Sequence, residues 1–196
     1  MSDNPYEKAI EETAKATGKA LELAKSAAPA IGDIYGLVAG DWIEAKRKEH
    51  RDALARKTKK ILKDRNVEPQ SIPEQISIPL LSAAQGESRD EIQDLWAQLF
   101  ANAMDPLRAE NVRPEFIETV KQLQPIDVRI LIRIKSVGTS KQLLISEIAK
   151  DEHLRSSAAG ISVANLEKLG CVLRTGGGQY LGLSEYGHEL LFAVEK

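Results

Sequence analysis

Apolar residues recur at intervals of three and four along much of the chain, most clearly in residues 88–104. In a helix this spacing places them on a single face, the pattern of a helix packed against a core. They are Ile92, Leu95, Trp96, Leu99, Phe100 and Ala103. Ser88 and Glu91 have the spacing of a capping box at its start. The pattern therefore predicts a helix here, with Trp96 in the core.

Two longer helices are predicted before this one, over residues 5–28 and about 31–63. Pro29 separates them, because proline lacks an N–H and disfavours a helical conformation at the residue before it. Residues 66–80 contain three prolines. We interpret them as an ordered Pro-rich crossing, since that spacing does not favour a helix. Residues 1–124 are accordingly predicted to form a helical region.

The C-terminal part of the chain, residues 125–196, has a different pattern. Pro125 begins a helix, and two shorter helices follow, the second ended by Gly170. Two short β-branched or aromatic segments around a Gly-Gly-Gly turn predict a hairpin, and Ser184 can cap a last helix. This order is typical of a winged helix-turn-helix. The predicted fold is mainly α, a helical region over 1–124 followed by a winged helix-turn-helix-like module with a small β-hairpin.

Charge is unevenly distributed, although 27 Lys and Arg nearly balance 29 Asp and Glu. Residues 44–65 carry ten basic and four acidic side chains, whereas residues 66–125 carry four basic and ten acidic ones. This indicates either that the two blocks dock on each other, within or between chains, or that both are solvated helix faces. The candidate contact surface comprises Lys46, Arg47, Lys48, Arg51, Arg56, Lys57, Lys59, Lys60 and Lys63. Nucleic acid phosphates or, with less support, an anionic membrane surface are alternative partners for it.

Small residues recur every fourth position before this block. The candidate helix-packing stripe is Ala28, Gly32, Gly36 and Gly40. In lipid such a stripe associates transmembrane helices, but Asp33 and Asp41 argue against insertion, because each charge is costly at the bilayer centre. We therefore predict tight packing between helices in a soluble bundle and self-association, and keep a membrane-acting effector as an alternative.

The predicted winged module has few cations for reading DNA. Its candidate DNA contacts are Arg155, Ser157, Asn165, Lys168 and Arg174. Nine basic and eight acidic residues in 126–196 give a net charge of only +1. Specific DNA interfaces are usually much more positive. DNA binding is therefore an alternative function and not the first choice.

Residue types that carry enzyme chemistry are sparse. Cys171 is the one cysteine, and the three histidines are scattered, without metal-ligand spacing. The Gly-Gly-Gly run precedes a predicted strand, whereas phosphate-binding loops precede a helix. We expect no catalytic residues, no metal site and no cofactor. The first residues lack the features of a secretory signal, which predicts a cytoplasmic protein.

Three stretches resemble the Abi-alpha (abortive infection alpha) family, formerly described as a domain of unknown function. They are GKALELAKSAAPAIGDIYGLVAGDWIEAKRKEHR at 18–51, IPLLSAAQGESRDEIQDLWAQLFANAMDP at 78–106 and VRPEFIETVKQLQPIDVRIL at 112–131. The middle stretch is the most specific. The resemblance implies a bacterial protein linked to anti-phage defence, and it supplies no catalytic residues.

The function we predict is therefore a non-enzymatic component of bacterial antiviral defence. It would act through contacts with an unknown protein partner and as a homo-oligomer. A DNA-binding regulator is the first alternative, and a membrane-acting effector is the second.

Overall fold

The computed structural model describes residues 40–138 and 143–195. The chain divides into two compact units, residues 1–49 and 50–196. The helix predicted over 5–28 lies outside the described residues. So do Ala28, Gly32 and Gly36 of the predicted packing stripe, whereas Gly40 begins the first described helix.

The described residues are mainly helical, with one small antiparallel sheet, as predicted. The helices are α1 (Gly40–Asp64), α2 (Glu74–Ala84), α3 (Asp90–Met104), α4 (Pro114–Gln122), α5 (Pro125–Val137), α6 (Ile145–Asp151), α7 (Ser156–Lys168) and α8 (Glu185–Val194). The strands are β1 (Leu143–Leu144), β2 (Val172–Thr175) and β3 (Tyr180–Leu183). Single 3-10 turns cover Ala109–Asn111 and Gly176–Gly178.

Helix α3 supplies the centre of the core in residues 50–195. Most of its apolar face is buried, with Trp96 only 1% exposed and Leu99 0% exposed, and Phe100 is partly buried. Phe116 of α4 and Ile130 of α5 belong to the same hydrophobic cluster, as does Leu190 of α8. The prediction that Trp96 lies in the core is confirmed. Because this cluster extends across Pro125, the helices on both sides of the predicted 124/125 boundary share one core.

The sheet has the order β1-β3-β2, with both pairs antiparallel. Its register places Val172 opposite Leu183 and Leu143 opposite Leu181. The β2–β3 hairpin was predicted, and β1 was not. A strand of two residues carries no detectable period-two pattern, so only its pairing with β3 identifies it.

The interpretation of residues 66–80 as a crossing without helix is wrong in its second half. Helix α2 begins at Glu74 and continues through Pro79. A proline inside a helix removes one hydrogen bond and crowds the preceding turn. Tertiary packing outweighs that cost here, because Leu80 is 0% exposed and Ala84 is 3% exposed.

The capping box predicted from Ser88 and Glu91 does not form. Helix α3 has Arg89 at its N-cap and no side-chain cap hydrogen bond. Glu87 holds this turn instead, since its carboxylate accepts hydrogen bonds from the Arg89 backbone N at 2.8 Å and from Arg89 Nη2 at 2.6 Å. Burial opposes the charge on Glu87, but the hydrogen bonds and charge of Arg89 outweigh it, so the Glu87 pKa lies below its ordinary value.

The predicted signals at the C-terminal end are confirmed. Ser184 caps α8, because its Oγ accepts a hydrogen bond from Gly187 N at 2.8 Å. Gly170 follows α7 with a φ of 72°, the left-handed conformation expected of a glycine that ends a helix. Cys171 is buried between α7 and β2.

Candidate contact surface

Helix α1 presents a compact set of cations to solvent. Arg56, Lys59, Lys60 and Lys63 are exposed and follow an i, i+3, i+4, i+7 spacing, which places them on one side of the helix. We call these four residues the basic face. On the opposite side, Leu54 and Leu62 are 5% and 7% exposed and anchor the helix to the core. The alternation of buried leucines and exposed cations therefore determines which side of α1 faces outward.

Three further cations of the predicted surface belong to the first compact unit. Lys46, Arg47 and Lys48 are all exposed. Lys46 Nζ lies 2.8 Å from the Glu49 carboxylate. An exposed pair of this kind contributes little to stability.

Two cations of the predicted surface are engaged inside the protein. Lys57 Nζ lies 2.7 Å from Asp94 Oδ1 and 3.4 Å from Asp90 Oδ1 on α3. Burial opposes the charge on Lys57, but the hydrogen bonds and charges of these two carboxylates outweigh it and raise the Lys57 pKa. Arg51 donates to Gln85 Oε1 at 3.1 Å. The basic block thus docks on the acidic block at Lys57, while the basic face stays solvated.

Arg65 was not among the predicted site residues, yet its side chain forms three hydrogen bonds from the turn that follows α1. Its guanidinium donates to Asn102 Oδ1 at 2.6 Å, to Gln98 Oε1 at 3.1 Å and to the Glu195 carbonyl at 3.0 Å. The sequence signal was the polar series Asp94, Gln98 and Asn102, which recurs every fourth residue, while the other residues from Leu95 to Met104 are apolar. This network joins the end of α1 to α3 and to the residue after α8.

A cleft of about 430 Å³ lies beside the basic face, between α1 and α3. Its lining mixes Lys57, Lys60 and Arg65 with Asp64 and Asp94. Both signs of charge occur within it, so it does not form a purely cationic phosphate pocket. The cleft marks the edge at which the basic face meets the core.

The structure separates the predicted DNA contacts into two groups. Arg155, Ser157 and Lys168 are exposed on or beside α7. Asn165 turns inward and donates to Asp127 Oδ2 at 2.8 Å. Arg174 forms a two-pronged pair with Glu167, at 2.7 and 3.0 Å. Two of the five side chains, Asn165 and Arg174, are thus paired with carboxylates of the same chain.

Among the described residues, Cys171 is buried. Burial, with a smaller contribution from the charge of Asp127, raises the pKa of the Cys171 thiol to about 12, so it is not a thiolate nucleophile at neutral pH. Over 40–138 and 143–195, no group of His, Cys, Asp and Glu is arranged to hold a metal ion. Within the same residues, no helix combines the length and apolar character needed to cross a bilayer.

Comparison with known families identifies the family of the chain. A family model described as abortive infection alpha matches residues 46–191, about three quarters of the chain. The chain belongs to the abortive infection alpha family. The matched range contains the basic face and all of α2 to α7. No curated protein and no solved structure matches the chain.

The hydrogen bonds of Arg65 should contribute to the stability of this family member. Arg65→Met should lower the free energy of unfolding by about 2 kcal/mol, because Gln98 and Asn102 then lose a charged donor while buried. Lys63→Met is the matched control, since Lys63 is exposed, and it should change stability by less than about 0.5 kcal/mol. Urea denaturation followed by circular dichroism measures both. Equal midpoints for the two variants would contradict a stabilising role for Arg65.

Proposed function

We propose that this protein is a non-enzymatic component of bacterial anti-phage defence, acting in the cytoplasm through protein contacts and self-association. The basic face is the proposed surface for the protein partner. Membership in the abortive infection alpha family supports the defence context. The partner is expected to present carboxylates, since Arg56, Lys59, Lys60 and Lys63 offer four cations on one helix side.

The observation that carries this proposal is the contrast between the basic face and its neighbours. Lys57 forms an ion pair with α3 and Arg65 donates hydrogen bonds to it, and these contacts hold α1 in place. The four cations of the basic face remain exposed, although Lys60 also lines the cleft between α1 and α3. Because these contacts hold the backbone of α1, binding would order only the four exposed side chains and not the helix itself, which favours a role in recognition.

We further propose that residues 125–196 form a winged helix-turn-helix module that follows a helical region over 1–124. The order α5, β1, α6, α7, β2, β3 supports this proposal, and so does the position of β1 at the edge of the hairpin. In such a module α7 would be the recognition helix. Exposed Arg155 and Lys168 favour DNA binding as the second candidate function, whereas the Arg174–Glu167 pair weakens it.

The test uses bacteria that produce the chain and are challenged with phage. Lys59, Lys60 and Lys63→Gln together should reduce protection by about tenfold or more, because loss of three cations from one contact surface weakens binding by at least one decade. The matched control is Arg113, Lys121 and Lys150→Gln, which removes three exposed cations elsewhere. Protection is measured as the efficiency of plating.

Each outcome separates the candidates. Equal protection by both triple variants would refute the basic face as the contact surface. Salt-sensitive binding of the purified chain to duplex DNA that Arg155→Gln with Lys168→Gln abolishes would favour the DNA-binding regulator. Sedimentation with anionic vesicles would favour the membrane-acting alternative instead.

A further inference from the structure

The cleft between α1 and α3 is bounded at both ends by polar contacts that join its walls. At one end Lys57 Nζ lies 2.7 Å from Asp94 Oδ1, and at the other Arg65 donates to Gln98 Oε1 at 3.1 Å. Lys57 and Arg65 are separated by about 12 Å along a helix that rises 1.5 Å per residue. The volume of about 430 Å³ lies within the range of small-molecule sites, about 300–1,000 Å³. The cleft therefore has the size of a ligand site, and contacts within the protein hold its walls.

Three polar groups that line this cleft have no partner among the described residues. Lys60 and Asp64 are exposed, and neither side chain forms an ion pair or a hydrogen bond with a described residue. Gln98 is only 5% exposed, yet its amide nitrogen donates to no described residue. A side chain buried to this extent normally satisfies its donors. The nitrogen keeps contact with solvent, since the sealed unpartnered atoms of the described residues are Thr58 Oγ1 and Trp96 Nε1.

The cleft also has an apolar part. Ile61 of α1 is partly buried against the core, and Ala97 of α3 is 1% exposed. Both residues line the cleft, and the small side chain of Ala97 leaves room between the two helices. Apolar walls with a few polar groups that fix orientation are typical of small-molecule sites.

The charges that line the cleft favour a ligand with one charge of each sign. Lys57 is paired with Asp94, so Lys60 and Asp64 are the cation and the anion left for a ligand. They are four residues apart on α1, about 6 Å along the helix. An extended dipeptide separates its two ends by up to about 7 Å. A purely anionic ligand would meet repulsion from Asp64, and a purely cationic one from Lys60.

We propose that the cleft between α1 and α3 binds a small zwitterion of dipeptide size with apolar side chains. Lys60 pairs with the carboxylate of the ligand, and Asp64 pairs with its ammonium group. The Gln98 amide donates to the peptide carbonyl, while Ile61 and Ala97 contact the apolar side chains. This inference does not rest on the proposed function, although Lys60 also belongs to the basic face.

Isothermal titration calorimetry of the full chain tests the class of ligand. The probe is leucyl-leucine, whose free ends carry one charge each, and its dissociation constant should lie below about 1 mM. The N-acetyl form lacks the ammonium group and the C-terminal amide lacks the carboxylate. Each should bind about tenfold more weakly or worse, because one charged group of the cleft then loses its partner. Equal affinity for all three compounds overturns the proposal, and so does a wild type that does not bind leucyl-leucine.

Single substitutions of exposed residues test the position of the site. Lys60→Gln and Asp64→Asn should each weaken the binding of leucyl-leucine by about tenfold. Lys63→Gln and Asp52→Asn are the matched controls, because both residues are exposed on α1 and neither lines the cleft. The controls should leave the affinity unchanged, and circular dichroism confirms that all four variants are folded. Binding that the cleft variants and the controls retain equally overturns the site.

Combining variants with probes tests the orientation of the ligand. Asp64→Asn should not weaken the binding of the N-acetyl form further, because that form has no ammonium group. Lys60→Gln should likewise leave the affinity for the amide unchanged. Losses that add fully, in place of this coupling, overturn the two assigned pairs.

These measurements are separate from the test of the proposed function. Asp64 is not part of the basic face, so loss of dipeptide binding by Asp64→Asn supports the cleft whatever the phage-protection result. Failure of the lysine triple variant to reduce protection refutes the basic face alone. Failure of the wild type to bind the dipeptide overturns the cleft alone.

Discussion

Replacement of Gly187 by alanine should strongly destabilise the fold. A Cβ at this position would lie 2.0 Å from the Cys171 carbonyl oxygen and 2.9 Å from its carbon. Both atoms are backbone, so no side chain can rotate away, and α8 itself must move. That movement would strain the Ser184 N to Cys171 O hydrogen bond of 3.1 Å and lift Leu190 from the core. We expect a loss of at least about 3 kcal/mol.

The control for this result is Gly160→Ala in the middle of α7. Apart from the adjoining residues and the backbone of α7 itself, no heavy atom would lie within 4 Å of a Cβ at this position, and the backbone is helical. Alanine should therefore stabilise the protein by up to about 1 kcal/mol. Thermal and urea unfolding of the two variants should shift in opposite directions. A Gly187→Ala protein as stable as the wild type would show that α8 does not pack against Cys171 in this way.

Truncation of Trp96 is the second change with a large expected effect. Its side chain is 1% exposed at the centre of α3, so Trp96→Ala should lower the free energy of unfolding by about 3–5 kcal/mol through the cavity that it leaves. Trp96→Phe should cost much less, about 1 kcal/mol. Among the described residues, the indole Nε1 has no hydrogen-bond acceptor, so phenylalanine removes a polar atom whose burial is unfavourable.

Urea titrations of both Trp96 variants, read by far-ultraviolet circular dichroism, measure this difference. Leu107→Ala is a suitable control, because Leu107 is 91% exposed and its truncation should have almost no effect. Equal losses for Trp96→Ala and Trp96→Phe would indicate that the indole N–H is satisfied in solution. A small loss for Trp96→Ala would contradict its place in the core.

The sequence predicted several parts of the fold from local signals, although the local capping box at Ser88 and Glu91 does not form. The apolar face around Trp96, the cap at Ser184 and the left-handed Gly170 each depend on residues a few positions apart. Helix α2 depends instead on the burial of Leu80 by other elements, which overrides Pro79. The identity of the elements was thus more predictable than their boundaries.

The sequence predicts which residues of the candidate site are basic, but it does not predict which of these side chains are exposed. The sequence shows that residues 44–65 are basic, but the partners of Lys57 and Arg65 lie more than 30 residues away along the chain. Lys57 meets Asp94, and Arg65 meets Asn102, only after α1 packs on α3. Asn165 is turned from solvent in the same way by Asp127. Long-range pairs of this kind leave no periodic trace in a single sequence.

The hydrogen bond from Arg65 to the Glu195 carbonyl also has a consequence for biosynthesis. The two residues are 130 positions apart. At translation speeds of about 5–20 residues per second, Arg65 is made roughly 7–26 seconds before Glu195. Until then the guanidinium lacks one of its acceptors, and α1 is held by its contacts to α3 and to Gln85. The hydrogen bond between the turn after α1 and Glu195 therefore forms late in synthesis, so the support of the proposed contact surface is complete only after Glu195 has been made.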